Sequence, residues 1–263
     1  MTLKSYRVVS SRMAEQLARQ LGLDVDVETT VETELNGGIT GLGSGRRKSV
    51  KRVIPKSVTD PRVLNEIVDG LRDNGQLKIY RPERTRELPR GVPTYIHEVG
   101  IEGTPVFLPL GEEARIAPGM EGLTVWVFEP LGRVGFIDSE PDGAWAWDWV
   151  GTYLFLIEEH ISNPENLFCI SGISALRCML ETAGYNTRLP SGRYGEDVFG
   201  RDNPAHPIDK LVSVGGRPGR SRMIEAVYRI AVMTNEQATT IDGREVRLND
   251  ILAYPLYIAD SGI

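Results

Sequence analysis

The sequence contains little of what several protein classes require. It has only 2 cysteines, Cys169 and Cys178, and 3 histidines, which are too few for a disulfide scaffold or a thiolate-rich zinc site. It also lacks a long apolar run, since VGTYLFLI is far shorter than the ~18 residues of a membrane-spanning helix. The N-terminus shows no signal-peptide pattern. We therefore expect a soluble, cytoplasmic protein of prokaryotic type, with no membrane segment and no metal site.

The composition is that of an ordinary folded protein. The 263 residues are 41% hydrophobic and 25% charged, and the formal net charge is -6 at pH 7. This length suits one large domain or two modest ones. The acidic balance favours solubility over a dedicated nucleic-acid-binding surface. Any site for nucleic acid must therefore be local.

The order of predicted elements indicates an α+β fold. Apolar residues at helical spacing follow Ser10 and Asp60, and glycines at Gly22 and Gly75 predict where the two helices end. Further along, the apolar pattern has a period of two, with turns predicted at Glu-Gly, Pro-Leu-Gly, Pro-Asp-Gly and Asp-Gly pairs or triplets. We expect a mostly antiparallel sheet with a few flanking helices, and a smaller N-terminal α/β subdomain.

A segment with three prolines and mixed charge, residues 81–93, predicts a boundary between two domains. The first, 1–85, is an N-terminal α+β subdomain with a basic flexible loop at 37–56. The second, 92–263, is an antiparallel-sheet α+β domain.

The basic loop is the first candidate site. Clustered Lys and Arg displace counterions from nucleic acid, so this loop predicts a nucleic-acid contact. The preceding segment, 24–34, alternates Asp and Glu with apolar residues. The simpler alternative is therefore that the acidic segment and the basic loop neutralise each other's charge and form an ordinary solvated surface. The candidate nucleic-acid-binding residues, in the part of the loop at 46–56, are Arg46, Arg47, Lys48, Lys51 and Arg52.

Aromatic and histidine residues on predicted strands have two interpretations. Trp145, Trp147 and Trp149 share one face of a strand, where they form either a stacking platform or part of the core. Core packing is the commoner use of such a stripe. His97 is expected to be a partly buried structural group for the same reason.

His206 is the candidate general base. It lies between Asp202 and Asp209 in a polar stretch suited to a site loop. A carboxylate near an imidazole can orient it for proton transfer or help to complete a metal site. This predicts a hydrolase or a phosphate-handling transferase that uses His206 with Asp202 or Asp209. Ordinary loop polarity is the alternative, because Pro207 predicts a turn.

The segment VSVGGRPGRSRMIEAVYRIAVM, residues 212–233, is the strongest candidate. Its glycine spacing does not fit a Walker A loop, which also needs a lysine where Arg220 stands. A helix predicted from about Arg222 would still offer N–H groups and arginine donors to an anion. A plain turn is the alternative. The candidate ligand-binding residues are Gly216, Arg217, Gly219, Arg220 and Ser221.

Together these features predict a binding or regulatory protein that recognises a phosphorylated or anionic ligand or a protein partner. An enzyme centred on His206 is the alternative, and a nucleic-acid-binding regulator that uses the loop at 46–56 is the third interpretation. The sequence indicates no particular cofactor, substrate or oligomeric state.

Overall fold

The computed structural model describes residues 4–23, 25, 57–79, 81, 93–109, 122–129, 148–149, 153–158, 176–177, 180–181, 184–189, 196–199, 205–233, 236–239, 245–248 and 250–261. The helices are α1 (Ser11–Gln20), α2 (Pro61–Asp73) and α3 (Pro207–Ser213). The strands are β1 (Tyr6–Val9), β2 (Leu77–Lys78), β3 (Tyr95–Pro109), β4 (Gly122–Phe128), β5 (Asp148–Trp149), β6 (Leu154–Ile157), β7 (Arg188–Leu189), β8 (Glu196–Asp197), β9 (Arg217–Pro218), β10 (Arg222–Met233), β11 (Glu236–Thr239), β12 (Glu245–Leu248) and β13 (Ile251–Asp260).

The long strands close into a barrel. Their order is β13, β10, β3, β4 and β6, and β6 returns to pair with β13. All pairs around this ring are antiparallel except the closing one, β6 with β13, which is parallel. The protein is therefore α+β, as predicted. Its sheet is a closed barrel with few helices, which the expectation of a sheet with flanking helices describes only in part.

Strand β10 is buried on both of its faces, and this burial is the reason why a helix was predicted for the same residues. Its Ile224 and Ala226 belong to the cluster inside the barrel, whereas Val227 packs in the cluster on the other face. A strand buried on both faces is apolar along its whole length and therefore resembles a helical segment in sequence. The helix predicted from about Arg222 is wrong, because β10 begins there.

Helices α1 and α2 cover the outside of the barrel with the apolar stripes that the periodicity predicts. Ser10 caps α1 by accepting the Met13 N–H at 3.3 Å, and Asp60 caps α2 by accepting the Arg62 N–H at 2.8 Å. Both predicted helices are confirmed. Their buried residues are Met13, Ala14, Leu17 and Ala18 in α1, and Val63, Leu64, Ile67, Val68 and Leu71 in α2.

Strand β3 runs straight through a Glu-Gly pair that was predicted to be a turn. At Gly103 a Cβ would lie 2.3 Å from the Phe128 ring, so the missing side chain gives that ring its space. The positive φ, 70°, occurs instead at Gly100, next to a shift in register against β10. A glycine within a strand pattern can mark close packing or a bulge as well as a turn.

A polar cluster is buried among the barrel strands. The Arg81 Nε and Nη2 atoms each lie 3.3 Å from a carboxylate oxygen of Glu98, and the Tyr228 hydroxyl donates to Glu98 at 3.1 Å. Arg81 is 6% exposed and Glu98 is 4% exposed. Burial and the neighbouring carboxylate raise the pKa of Tyr228 well above its ordinary value. The tyrosine therefore remains a donor to Glu98.

The C-terminal part of the chain confirms a predicted hairpin. Strands β11 and β12 pair in antiparallel register, and the predicted final strand is β13. The connecting turn and the domain boundary predicted between residues 85 and 92 lie outside the described residues. Within the described part of the chain, no helix has the length and apolar character needed to cross a membrane.

Candidate functional site

The glycine-arginine segment ends a helix and does not begin one. Gly215 has a φ of 98° and donates its N–H to the Val212 carbonyl at 3.0 Å. Gly216 donates its N–H to the Leu211 carbonyl at 2.8 Å. These two bonds form the Schellman ending of α3. The amides therefore satisfy helix carbonyls and do not converge on a ligand.

The arginines that follow are exposed. Among the described residues, no carboxylate lies within ion-pairing distance of Arg217 or Arg220. The Gly219 N–H is also used, because it donates to the Pro105 carbonyl at 2.7 Å. A helix C-terminus attracts cations, so the arginines need no anion to explain their position. Anion binding by Gly216, Arg217, Gly219, Arg220 and Ser221 stays a prediction, without the helix N-terminus on which it was based.

The close packing at Gly216 predicts a measurable effect. We expect Gly216→Ala to lower the free energy of unfolding by about 1–3 kcal/mol, because its Cβ would lie 2.6 Å from the Leu211 carbonyl oxygen. Urea unfolding measures the change. Gly219→Ala is the matched control, since its nearest neighbour would be a Pro105 side-chain atom at 3.0 Å. Equal losses in the two variants would contradict the special role of Gly216.

His206 pairs with a carboxylate that the sequence did not indicate. Its Nε2 lies 2.7 Å from Glu129 Oε1, directly after β4. His206 itself is the N-cap of α3, so Pro207 begins a helix and the turn predicted there is wrong. Asp209 is exposed in the first turn of α3, with no bond to His206 among the described contacts. Asp202 lies outside the described residues.

Both ring nitrogens of His206 are engaged. Nδ1 accepts the Ile208 N–H at 3.2 Å, so the proton of the neutral ring is on Nε2, which donates to Glu129. The Tyr153 ring packs edge-on against the imidazole, with centroids 5.7 Å apart. Burial, followed by the carboxylates of Glu129 and Asp250, raises the pKa of Tyr153 to about 12. Since the single basic lone pair of the neutral ring, on Nδ1, already accepts a backbone N–H, this geometry does not favour His206 as a general base.

His97 lies in a second hydrogen-bonded cluster. Its Nε2 donates to Glu225 Oε1 at 2.8 Å. The same oxygen accepts Lys4 Nζ at 2.6 Å and the Tyr257 hydroxyl at 2.7 Å. The His97 side chain is 17% exposed, as expected of a partly buried structural group. This cluster joins β3, β10 and β13 to the segment before β1.

An open pocket lies at the N-terminal end of α1. It forms where α1 meets β10, β13 and the residue after β6. The Ser10 N–H donates to the Leu256 carbonyl at 2.9 Å and so fixes the start of α1 against β13. The positive end of the helix adds to the two arginines of the wall. The lining residues are Ser10, Arg12, Met13, Gln16, Glu158, Arg229, Tyr254 and Pro255.

Arg229 is the half-buried cation of this pocket. Its guanidinium lies near the hydroxyl groups of Tyr95 and Tyr254, close enough to act on the pKa of each. Burial raises the pKa of both hydroxyls, that of Tyr254 to about 12, although Arg229 acts in the opposite direction. Both tyrosines are therefore neutral at physiological pH. Within the described residues, no carboxylate lies in ion-pairing distance of Arg229, so its charge is not neutralised by a protein partner.

Arg229 is not among the site residues predicted from the sequence, because the segment that forms β10 was interpreted as a helix. A charged residue within a strand that is apolar on both faces is the signal that a correct strand prediction would have supplied.

Several other predicted residues have no described position. The basic residues Arg46, Arg47, Lys48, Lys51 and Arg52 lie outside the described residues, as do Trp145 and Trp147. The described part of the chain contains no group of three or more His, Cys, Asp or Glu suited to holding a metal ion.

No protein-family model, curated protein or solved structure matches this chain.

Proposed function

We propose that this protein binds a small anionic ligand, through a carboxylate or phosphate group, in the pocket at the start of α1. One observation carries the proposal: Arg229 lines this pocket between neutral tyrosines, without a carboxylate partner among the described residues. Arg12 supplies a second cation, and Ser10 and Gln16 supply neutral hydrogen-bonding groups. The pocket thus replaces the glycine-arginine segment as the site for an anionic ligand.

The chemistry of Arg229 suits this role. A guanidinium group donates two parallel hydrogen bonds to a carboxylate or phosphate. The half-buried position of Arg229 beside Tyr95, together with the pairing of Arg229 and Tyr254 across β10 and β13, limits the freedom of this side chain before a ligand arrives. Less side-chain entropy is then lost on binding.

Glu158 sets the charge of the ligand that the pocket accepts. Its Oε1 accepts the Trp126 indole N–H at 2.6 Å, which holds the carboxylate at the pocket wall. A fixed negative charge near the site disfavours ligands with several acidic groups. A ligand with one acidic group is therefore favoured over a polyanion.

Thermal unfolding in the presence of acetate, sulfate, phosphate and citrate tests this proposal. A probe present at about ten times its Kd stabilises the folded protein by about 1.4 kcal/mol, which raises Tm by roughly 3 °C in a domain of this size. We expect this rise with acetate or phosphate at millimolar concentration and a smaller one with citrate.

Two variants of β10 identify the cation responsible. We expect Arg229→Gln to abolish the rise in Tm, each shift being measured against the variant's own ligand-free Tm. Arg222→Gln is the matched control, because it removes an exposed arginine of the same strand outside the pocket. A rise that persists in Arg229→Gln, or a wild-type protein that responds to none of the four probes, contradicts the proposal.

A further inference from the structure

Two arginines of neighbouring strands lie on the same face of the sheet as a phenylalanine in the second half of β3. Residues directly opposite in an antiparallel pair project to the same side of a sheet. Arg222 pairs with Gly103, and Arg217 pairs with Phe107. Gly103 and Phe107 are four positions apart on β3, so they share a face as well. We call Arg217, Phe107, Arg220 and Arg222 the arginine row; Arg220 lies in the connection between the two paired arginines.

Phe107 is held in place but not covered. A Cβ at Gly122 would lie 2.4 Å from atoms of the Phe107 ring, so the ring packs directly against the backbone of β4. The residue is nonetheless 37% exposed. A large aromatic side chain is therefore presented to solvent beside the arginines in a defined position.

The charge of the arginine row is largely uncompensated by described residues. Among the residues that the structure describes, no carboxylate lies within ion-pairing distance of Arg217 or Arg220. Asp260 is close enough to Arg222 for the arginine to contribute to the lowered pKa of this carboxyl group. That carboxylate is already paired with Arg7 at 2.6 Å. The row thus offers a local positive surface on a chain whose net charge is -6.

The spacing of the row suits an extended polyanion. Positions four residues apart on a strand are separated by about 13 Å, with Phe107 at one end of this distance. Backbone N–H groups of Gly215, Gly216 and Gly219 are all bonded within the protein. A single small anion is therefore not enclosed here, whereas successive charges along a chain can each meet an arginine.

We propose that the arginine row binds single-stranded nucleic acid, with the arginines at phosphates and a base stacked on Phe107. Aromatic side chains beside cations are the usual elements of such binding. An acidic protein fits less well, because specific protein interfaces have an apolar centre and the row contributes one large apolar side chain. This inference is independent of the ligand pocket.

Fluorescence anisotropy with labelled oligomers of about 12 thymidines or uridines tests the inference. If three phosphates are contacted, the slope of log K against log salt is about -2, and affinity falls roughly twentyfold between about 50 and 200 mM salt. The triple variant Arg217→Gln, Arg220→Gln, Arg222→Gln should lose at least about tenfold in affinity at the lower salt concentration. Phe107→Leu should lose roughly fivefold or more while keeping an apolar contact with Gly122.

A triple variant of exposed helix arginines, Arg19→Gln, Arg62→Gln and Arg72→Gln, is the control for an equal loss of charge. It should bind within about twofold of the wild type, since it leaves the arginine row intact. Circular dichroism verifies that each variant is folded. Three results would overturn the proposal: no binding by the wild type, binding of a poly-glutamate peptide in place of the oligomers, or equal losses in the two triple variants. Binding that survives in the arginine-row variant but is lost when Arg46, Arg47, Lys48, Lys51 and Arg52 become Gln would also overturn it.

Discussion

Arg81→Met is expected to lower the free energy of unfolding by about 3–5 kcal/mol, the usual cost of removing one partner of a buried ion pair. In the native packing Glu98 would remain 4% exposed. Among the described side chains, the Tyr228 hydroxyl would be the donor that it keeps. A carboxylate that keeps its charge there lacks both water and a cation. Urea or guanidinium unfolding of wild type and variant at neutral pH measures the loss.

The double variant Arg81→Met, Glu98→Gln separates charge from packing. Its amide can still accept the Tyr228 hydroxyl, but no unpaired charge remains. We therefore expect the double variant to be more stable than Arg81→Met alone, with a non-additive difference of the kind that a double-mutant cycle detects. If Glu98→Gln makes Arg81→Met worse, the loss does not come from an isolated carboxylate.

We expect the free energy of unfolding to decrease at acidic pH because Glu225 becomes protonated. Burial alone would raise its pKa, but hydrogen bonds from His97, Lys4 and Tyr257 lower it from 4.5 to about 2. A group whose pKa is lower in the folded state stabilises that state fully above its unfolded pKa. This stabilisation, roughly 3 kcal/mol, is then lost as the pH falls from 4.5 towards 2.

Unfolding of wild type and Glu225→Gln across this pH range tests the expectation. The wild type should lose roughly 3 kcal/mol more than the variant, and the two should converge near the acid end. Asp260→Asn is the control, because this carboxylate is likewise hydrogen-bonded to a cationic side chain, that of Arg7, but the pair is exposed. Exposed ion pairs contribute little, so the variant should follow the wild type closely. Parallel curves for wild type and Glu225→Gln would contradict the role assigned to the cluster around Glu225.

Elements stabilised by local interactions were predictable. Helices α1 and α2 begin at a capping side chain, carry a continuous apolar stripe and end before a glycine with positive φ, Gly22 or Gly75. All of these signals lie within a few residues of the element that they define. The C-terminal hairpin was predictable for the same reason, since two short strands and their turn are adjacent in sequence.

The interpretation of residues 212–233 was wrong because the decisive contacts are distant. Whether a short apolar segment is a helix or a strand buried on both faces depends on what covers it. Here β10 pairs with β3 on one side and with β13 on the other. The glycines before β10 then form the C-terminal end of α3, and the arginines lie beside β3.

The sequence by itself determined the α+β class, the two amphipathic helices and the positions of several strands, because periodicity and capping act over one or two turns of chain. Only the tertiary structure decided which polar groups meet. Glu129 reaches His206 across 77 positions, and Glu225 reaches Lys4 across 221. Arg229 lines a pocket with Arg12 because closing the barrel brings β10, β13 and α1 together. Pairings across such separations depend on barrel closure and strand register, neither of which any short stretch of sequence specifies.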